Sequence, residues 1–138
     1  MKKIFLDTNV IVDLIADRKP YSKHAIEVFN KVDEKKIRLY TSSHSIATTH
    51  YLLKKYINEK QLREILYDLL DYIQVVAIDV DVIKKGLKSK HKDFEDAIQI
   101  ISAYSIEKID YIITRNTKDF RESEIPILTP EELLMKIL

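Results

Sequence analysis

Short apolar runs alternate with longer segments of helical spacing along this chain, and that alternation limits its possible folds more than any other feature. The runs that predict buried strands cover residues 4–6, 37–40, 75–78, 111–113 and 125–128. When strands alternate with helices, the favoured arrangement is a parallel sheet covered by helices on both faces. We therefore predict an α/β fold.

Residues that commonly cap helices precede most of the segments of helical spacing. They are the pair Asp7-Thr8, Ser22, Ser42 or Ser43, Asn58, Asp79 and Thr129. Thr129 is followed by Pro130 and Glu132, and the three form a capping-box sequence. The spacing after Ser22 predicts a helix through Val32, and the spacing after Asn58 predicts one through Ile73.

The composition indicates one domain and excludes several kinds of site. With one glycine, three prolines and no repeat among 138 residues, the chain offers no linker, so we predict a single domain over residues 1–138. The absence of cysteine excludes disulfides and thiolate zinc sites. The single glycine, Gly86, also argues against a glycine-rich phosphate loop and hence against dinucleotide binding.

Hydropathy and charge bear on where the protein acts and on its partners. No apolar stretch reaches the roughly eighteen residues of a membrane span, and the start of the chain becomes charged too soon for a signal peptide. We expect a cytoplasmic protein that does not associate with a membrane. The formal net charge is +1, from 23 basic and 22 acidic residues, so any attraction to nucleic acid has to be local.

Four aspartates fall where the predicted fold would gather them. Asp7 follows the first strand, Asp119 follows the strand at 111–113, and Asp93 and Asp96 stand three apart at the start of a helix. In parallel sheets, sites form beyond the carboxyl ends of the strands. Each aspartate alone also has a structural explanation, as a helix cap or as a partner of a helix dipole, and for Asp93 and Asp96 that explanation is the more common one. Four at one edge favour a shared site for Mg²⁺ or Mn²⁺, which prefer hard oxygen ligands.

Three sequence blocks resemble the signature blocks of PIN domains. They are Leu-Asp-Thr-Asn-Val at 6–10, Asp-Phe-Glu-Asp-Ala at 93–97 and Thr-Arg-Asn-Thr-Lys-Asp-Phe at 114–120. Their order and spacing match along nearly the whole chain, including the closing segment 127–132. The resemblance implies an α/β/α sandwich of three layers around a five-stranded parallel sheet. It also implies RNA cleavage that depends on Mg²⁺ or Mn²⁺.

The resemblance also assigns site residues and partners. By position in the blocks, Asp7, Asp96 and Asp119 would be metal-site carboxylates, Asn116 a ligand or a residue that positions one, and Asp93 an additional acidic ligand. Many small family members are VapC-like toxins whose antitoxin blocks the site, which makes an antitoxin an expected partner. PIN domains often dimerise, so the resemblance also implies a homodimer.

The chain departs from the family pattern at Thr48, where family members usually carry a glutamate. The loss of one negative charge should weaken metal binding unless Asp93 or Glu95 compensates. The alternative is a catalytically degenerate PIN module that binds RNA or a protein partner. His44 and His50 lie nearby but are six residues apart, which does not align them on one helix face, so we predict no ligand role for either.

Basic residues beside the acidic blocks supply the local positive charge that RNA would require. Arg115 and Lys118 lie within the third block, and Lys92 ends a basic run that leads into the second. We predict that these three side chains contact substrate phosphates, which would position a strand without reading its sequence. The alternative for the basic run is a solvated surface.

Overall fold

The computed structural model describes residues 1–137 and contains one parallel sheet of five strands among them. The strands are β1 (Lys2–Leu6), β2 (Ile37–Ser42), β3 (Ile73–Val76), β4 (Tyr111–Ile113) and β5 (Ile127–Leu128). Their spatial order is β3-β2-β1-β4-β5, and each neighbouring pair is parallel. The predicted α/β fold with a five-stranded parallel sheet is confirmed.

Seven α-helices cover the sheet in the described part of the chain. They are α1 (Thr8–Ala16), α2 (Tyr21–Asp33), α3 (Ser43–Leu53), α4 (Glu59–Leu69), α5 (Val80–Lys88), α6 (Phe94–Tyr104) and α7 (Pro130–Lys136), and a 3-10 helix spans Thr117–Phe120. No helix among residues 1–137 combines the length and apolar character that crossing a bilayer demands.

The alternation of side chains along the central strand creates two separate cores, one on each face of the sheet. Ile4 and Leu6 pack with residues of α1, α2 and α4, whereas Phe5 packs with Ile100 of α6 and with Phe120. Successive side chains of a strand point to opposite faces, so a strand buried on both faces is apolar throughout. The two cores make the fold a three-layer α/β/α sandwich.

The strand order reverses at β1, which lies between β2 and β4. Leu6 at the end of β1 pairs with Ile113 at the end of β4, and the backbone amide of Asp7 donates to the carbonyl of Ile113 at 2.9 Å. The segments that follow β1 and β4 therefore leave the sheet side by side. In open α/β sheets this crevice is where ligands bind.

Two predicted elements differ from the structure. The helix after Asn58 ends at Leu69, and Ile73 instead begins β3, where it is buried and paired with Leu39. An apolar residue four positions after Leu69 fits helical spacing as well as a new strand, so periodicity alone extended the helix too far. Correspondingly, β3 covers Ile73–Val76 rather than residues 75–78.

Ser22 does not cap α2, because the helix begins one residue earlier, at Tyr21, and Pro20 occupies the capping position. The Ser22 side chain is buried inside the first turn instead. The other predicted caps are confirmed, because their side chains accept hydrogen bonds from backbone amides of the helices; they are Asp7, Ser42, Asn58, Asp79 and Thr129.

Gly86 lets α5 approach α6 closely. A β-carbon at this position would lie 2.8 Å from Cγ2 of Ile98 and 3.2 Å from the ring of Phe94. Both atoms belong to α6, so any larger residue would push the two helices apart. The only glycine in the chain thus helps to fix the helix whose first turn carries Asp96.

Candidate active site

Asp7 ends β1 and caps α1 with its own carboxylate. Its Oδ1 accepts from the Thr8 backbone amide at 2.8 Å, and its Oδ2 accepts from the Thr114 hydroxyl at 2.8 Å. Burial raises the pKa of Asp7, the two hydrogen bonds oppose that rise, and the nearby negative charge of Asp119 adds to it. The carboxylate is therefore fixed in direction while its charge is poorly compensated.

Asp96 lies among several other negatively charged side chains. Burial raises the pKa of Asp96 to about 7, and the charges of Asp93, Asp7, Asp119 and Glu95 add to the effect in that order. Asp93 is the N-cap of α6, and its Oδ1 accepts from the Asp96 amide at 3.0 Å. The charges of the other three predicted aspartates therefore all raise the pKa of Asp96.

Thr114 connects the two signature segments that leave the sheet. It is fully buried, donates to Asp7, and accepts from the Asn9 side chain at 3.2 Å and from the Asn116 amide at 3.1 Å. Asn9 is itself partly buried, and its Oδ1 accepts from the Arg115 amide at 3.3 Å. The bonds hold Asn116 beside Asp7, at the start of the 3-10 helix that carries Asp119.

The predicted site residues line two cavities that meet at Asp96. The first, of about 230 Å³, contains Asp7, Asp96 and Asn116 together with His44, Thr48 and Glu95. The second, of about 160 Å³, contains Asp93, Asp96 and Asp119 and is bordered by four basic residues, Lys90, Lys92, Lys118 and Arg121. Two of the predicted phosphate contacts, Lys92 and Lys118, thus lie next to the carboxylates.

The donor set fits a hard divalent cation. Among residues 1–137, no three Asp, Glu or His side chains are already arranged closely enough to hold an ion together. In the same part of the chain, no lysine or arginine forms an ion pair with Asp7, Asp96 or Asp119. Carboxylates that repel one another without a cationic partner can be drawn together by Mg²⁺ or Mn²⁺, which accept only a few protein oxygens each.

Thr48 lies in the first cavity, as its place in the pattern predicts. Its hydroxyl is 3.3 Å from Nε2 of His44, and that nitrogen is 3.8 Å from a carboxylate oxygen of Glu95. Glu95 therefore brings a negative charge to the cavity from which the usual glutamate is missing. His50 points elsewhere and forms a 2.6 Å contact with Glu59.

A buried polar network beneath Asp7 escaped the sequence reasoning. The Gln99 amide bridges the hydroxyls of Ser42 and Ser45, and the Thr8 hydroxyl donates to Ser45 at 2.9 Å. Gln99, Ser42 and Ser45 are at most 2% exposed. The available signal was a glutamine within the apolar run of α6, because a buried amide requires polar partners.

Arg115 differs in its surroundings from Lys92 and Lys118. Its guanidinium donates through Nε and Nη2 to the carboxylate of Asp13, which is 1% exposed, and it lies 4.0 Å from the centre of the Tyr21 ring. Arg115 lines a third cavity, which also contains Asn116. The contact of Arg115 with substrate stays a prediction. Arg115 also has a structural role, because it pairs with the buried Asp13.

Comparison with known proteins yields one family and several relatives. A family model described as PIN domain matches residues 3–118. The chain is 29% identical over 136 residues to a protein named Ribonuclease VapC1 from Aquifex aeolicus (strain VF5), covering 95% of this chain and 92% of that protein.

Two solved structures show the same fold. A toxin-antitoxin complex from Klebsiella pneumoniae has a TM-score of 0.66 and 26% identity, covering 92% of this chain and 97% of that one. The VapBC-1 structure from nontypeable Haemophilus influenzae has a TM-score of 0.68 and 18% identity, covering 94% of this chain and 98% of that one. The second likeness is one of fold alone.

Proposed function

The chain belongs to the PIN domain family, and on that premise we propose that it is a divalent-metal-dependent endoribonuclease that cuts RNA phosphodiester bonds. The observation that carries the proposal is that Asp7, Asp96 and Asp119 line two cavities that share Asp96, and that no lysine or arginine of the described residues pairs with them. Burial and the charges of the neighbouring carboxylates raise the pKa of Asp96 to about 7. Such mutual repulsion lowers the stability of a metal-free protein, so its presence favours a cation as the missing partner. The relative from Aquifex aeolicus is named a ribonuclease, which supports RNA as the substrate.

In this proposal the site residues divide between metal and substrate. Asp7, Asp96 and Asp119 would hold Mg²⁺ or Mn²⁺, Asn116 would complete or orient that set, and Asp93 would add a further carboxylate. The bound ion would supply an activated water and stabilise the charge of the departing oxygen. The hydrogen bond from Thr114 keeps the Asp7 carboxylate pointed towards the crevice.

The basic border of the second cavity would hold the RNA backbone. Lys92 and Lys118 line it together with Asp96 and Asp119. Ammonium groups at this place would bind a phosphate next to the scissile bond and offset its repulsion by the aspartates. The affinity for RNA should accordingly fall as the salt concentration rises.

We further propose that the site is regulated by an antitoxin protein. The Klebsiella pneumoniae relative was solved as a toxin-antitoxin complex, and it matches this chain over nearly its whole length. A homodimer and a cytoplasmic location stay predictions of the sequence.

A catalytically degenerate module is the second candidate, and two observations favour it. Thr48 stands where family members usually carry a glutamate, and no group of three acidic residues within 1–137 is ready to hold an ion. Such a module would bind RNA or a protein partner through the same crevice without cutting the strand.

Manganese titration by calorimetry, run beside a cleavage assay on fluorescent single-stranded RNA, separates the two candidates. We expect binding of Mn²⁺ and cleavage that EDTA abolishes and that either Mn²⁺ or Mg²⁺ restores, since the carboxylates alone cannot activate water efficiently. RNA binding with neither metal binding nor cleavage would contradict the nuclease proposal and favour the degenerate module.

Replacing Thr48 by glutamate should strengthen metal binding. The residue faces the cavity of Asp7 and Asp96, so a carboxylate there adds a charged oxygen ligand to the site. We expect the dissociation constant for Mn²⁺ to fall by about tenfold, because the number of charged ligands tunes cation affinity. Thr48→Gln is the matched control, since it adds the same bulk without the charge. Equal affinities of the two variants would mean that position 48 does not reach the ion.

A further inference from the structure

A third cavity adjoins the carboxylates and has no role in the function described so far. Its volume is about 300 Å³, and it lies between the start of α2, the segment after β4 and the start of α7. Asn116 lines both this cavity and the one that contains Asp7 and Asp96. A chain bound across the carboxylates can therefore continue into it.

One wall of this cavity is formed by Arg115 and Tyr21, and Asp13 holds Arg115 in place. The guanidinium of Arg115 lies 4.0 Å from the centre of the Tyr21 ring, and its Nη2 donates to Asp13 at 3.2 Å. Asp13 is itself 1% exposed, so it can shift little. Tyr21 keeps 44% of its surface exposed. A planar cation stacked on an aromatic ring forms the kind of surface on which nucleobases stack.

The charges in this cavity suit a neutral ligand better than a phosphate. The carboxylate of Asp13 neutralises the charge of Arg115. His24, which also lines the cavity, lies 3.8 Å from a carboxylate oxygen of Glu131. An exposed carboxylate such as that of Glu131 repels an anion. The basic residues collect instead around the second cavity, beyond Asp96. The basic cavity and this one share no lining residue, and each meets the cavity of Asp7 and Asp96 at a different residue.

The cavity also offers unused hydrogen-bonding groups. Within residues 1–137, the side-chain amide of Asn116 makes no hydrogen bond to protein, and Nη1 of Arg115 has no protein acceptor. An amide supplies both a donor and an acceptor, and a guanidinium supplies donors. Together they can pair with the edge of a base that is not engaged in Watson–Crick pairing.

We propose that this cavity binds one unpaired nucleobase of the substrate, next to the phosphodiester that lies at Asp7 and Asp96. The base stacks on the pair formed by Arg115 and Tyr21, and Asn116 contacts its edge. This inference rests on the proposed ribonuclease function, and it makes the substrate single-stranded at the cleavage site. A paired base in a helix could not enter the cavity without being extruded.

The test uses a fluorescent base analogue and a protein that does not cut. Single-stranded oligoribonucleotides carry 2-aminopurine or pyrrolocytosine at successive positions, and they are titrated with the full chain bearing Asp96→Asn. We expect quenching at one register of the strand and no quenching in duplex RNA. Adding Tyr21→Leu should remove this quenching and weaken binding by about tenfold, as expected for one lost base stack. Tyr21→Phe should keep both.

Tyr67→Leu is the matched control, because Tyr67 is 76% exposed on α4 and lines none of the three cavities. Quenching that survives Tyr21→Leu unchanged, or that is absent throughout, overturns the base site. Metal-dependent cleavage by the unsubstituted protein is measured separately. Cleavage without Tyr21-dependent quenching would support the nuclease proposal and contradict the base site. Tyr21-dependent quenching without cleavage would support the base site and contradict the nuclease proposal.

Discussion

Asp96→Asn is expected to lower metal-dependent RNA cleavage by at least about a hundredfold, a loss typical of weakened metal coordination. The carboxylate lines both cavities of the site, so its replacement removes a ligand from wherever the ion sits. Asparagine keeps the size of the side chain and leaves the Asp96 backbone amide free to donate to Asp93. The loss should therefore come from the charge and not from a change in fold.

The same substitution should stabilise the metal-free protein above neutral pH. The pKa of Asp96 rises from its ordinary value of 3.8, which applies to the unfolded chain, to about 7 in the folded protein. Between these values the folded protein holds a proton that the unfolded chain has released, so the free energy of unfolding falls as pH rises through this window. Above about pH 7 the loss is complete. Asparagine cannot ionise, so the free energy of unfolding of Asp96→Asn does not decrease in this way.

The gain in the free energy of unfolding can be estimated from the difference between the two pKa values of Asp96. That difference corresponds to about 4 kcal/mol, but solvent screens the partly exposed carboxylate, so we expect roughly 1–2 kcal/mol. The favourable interaction of the charged form with the start of α6, about 0.5 kcal/mol, is smaller and opposes it. The melting temperature at pH 8 should rise by roughly 3–8 °C.

Thermal unfolding in EDTA between pH 4 and pH 8 measures this difference. Asp68→Asn serves as the control, because Asp68 is exposed on α4 and forms no ion pair among the described residues. Mn²⁺ should raise the melting temperature of the unsubstituted protein and leave that of Asp96→Asn nearly unchanged, because only the former binds it. Equal pH profiles for the two proteins would mean that Asp96 ionises normally and that the site lacks the inferred repulsion.

The sequence could predict that these aspartates lie at one edge of the sheet, because strand ends and helix starts are local features. Asp7 directly follows an apolar strand, and Asp93 and Asp96 precede the apolar face of α6. Parallel topology then brings these segments to one edge. The aspartates line two cavities that share Asp96. Which cavity each one lines depends on the direction of its side chain, and the periodicity of the sequence does not predict that direction.

The sequence did not predict the buried hydrogen bonds between side chains that are far apart along the chain. Gln99 meets Ser42 and Ser45 from positions 57 and 54 residues away along the chain. Asp13 and Arg115 are separated by 102 residues. A polar residue within an apolar segment, such as Asp13 in residues 10–15, indicates that a buried partner exists. The sequence does not identify that partner.

The ion pair of Asp13 and Arg115 has the largest expected effect on stability. Asp13 is 1% exposed, and both of its oxygens accept from the guanidinium. Arg115→Met should therefore cost about 3 kcal/mol of the free energy of unfolding, because it leaves a buried carboxylate without its partner. The double variant Asp13→Ala/Arg115→Met should recover most of this loss, since the penalty belongs to the unpaired charge and not to the missing contact.

Urea unfolding of the four proteins of this cycle gives the coupling between the two residues directly. Arg63→Met is the matched control: Arg63 pairs with Glu59 at 3.0 Å, but its side chain is 76% exposed, and solvent already screens that charge. Its loss should stay below about 1 kcal/mol. If Arg115→Met costs no more than Arg63→Met, then the Asp13 carboxylate does not depend on its partner. In that case the pair does not hold the cavity wall beside Tyr21, and the proposed base site loses its rigid support.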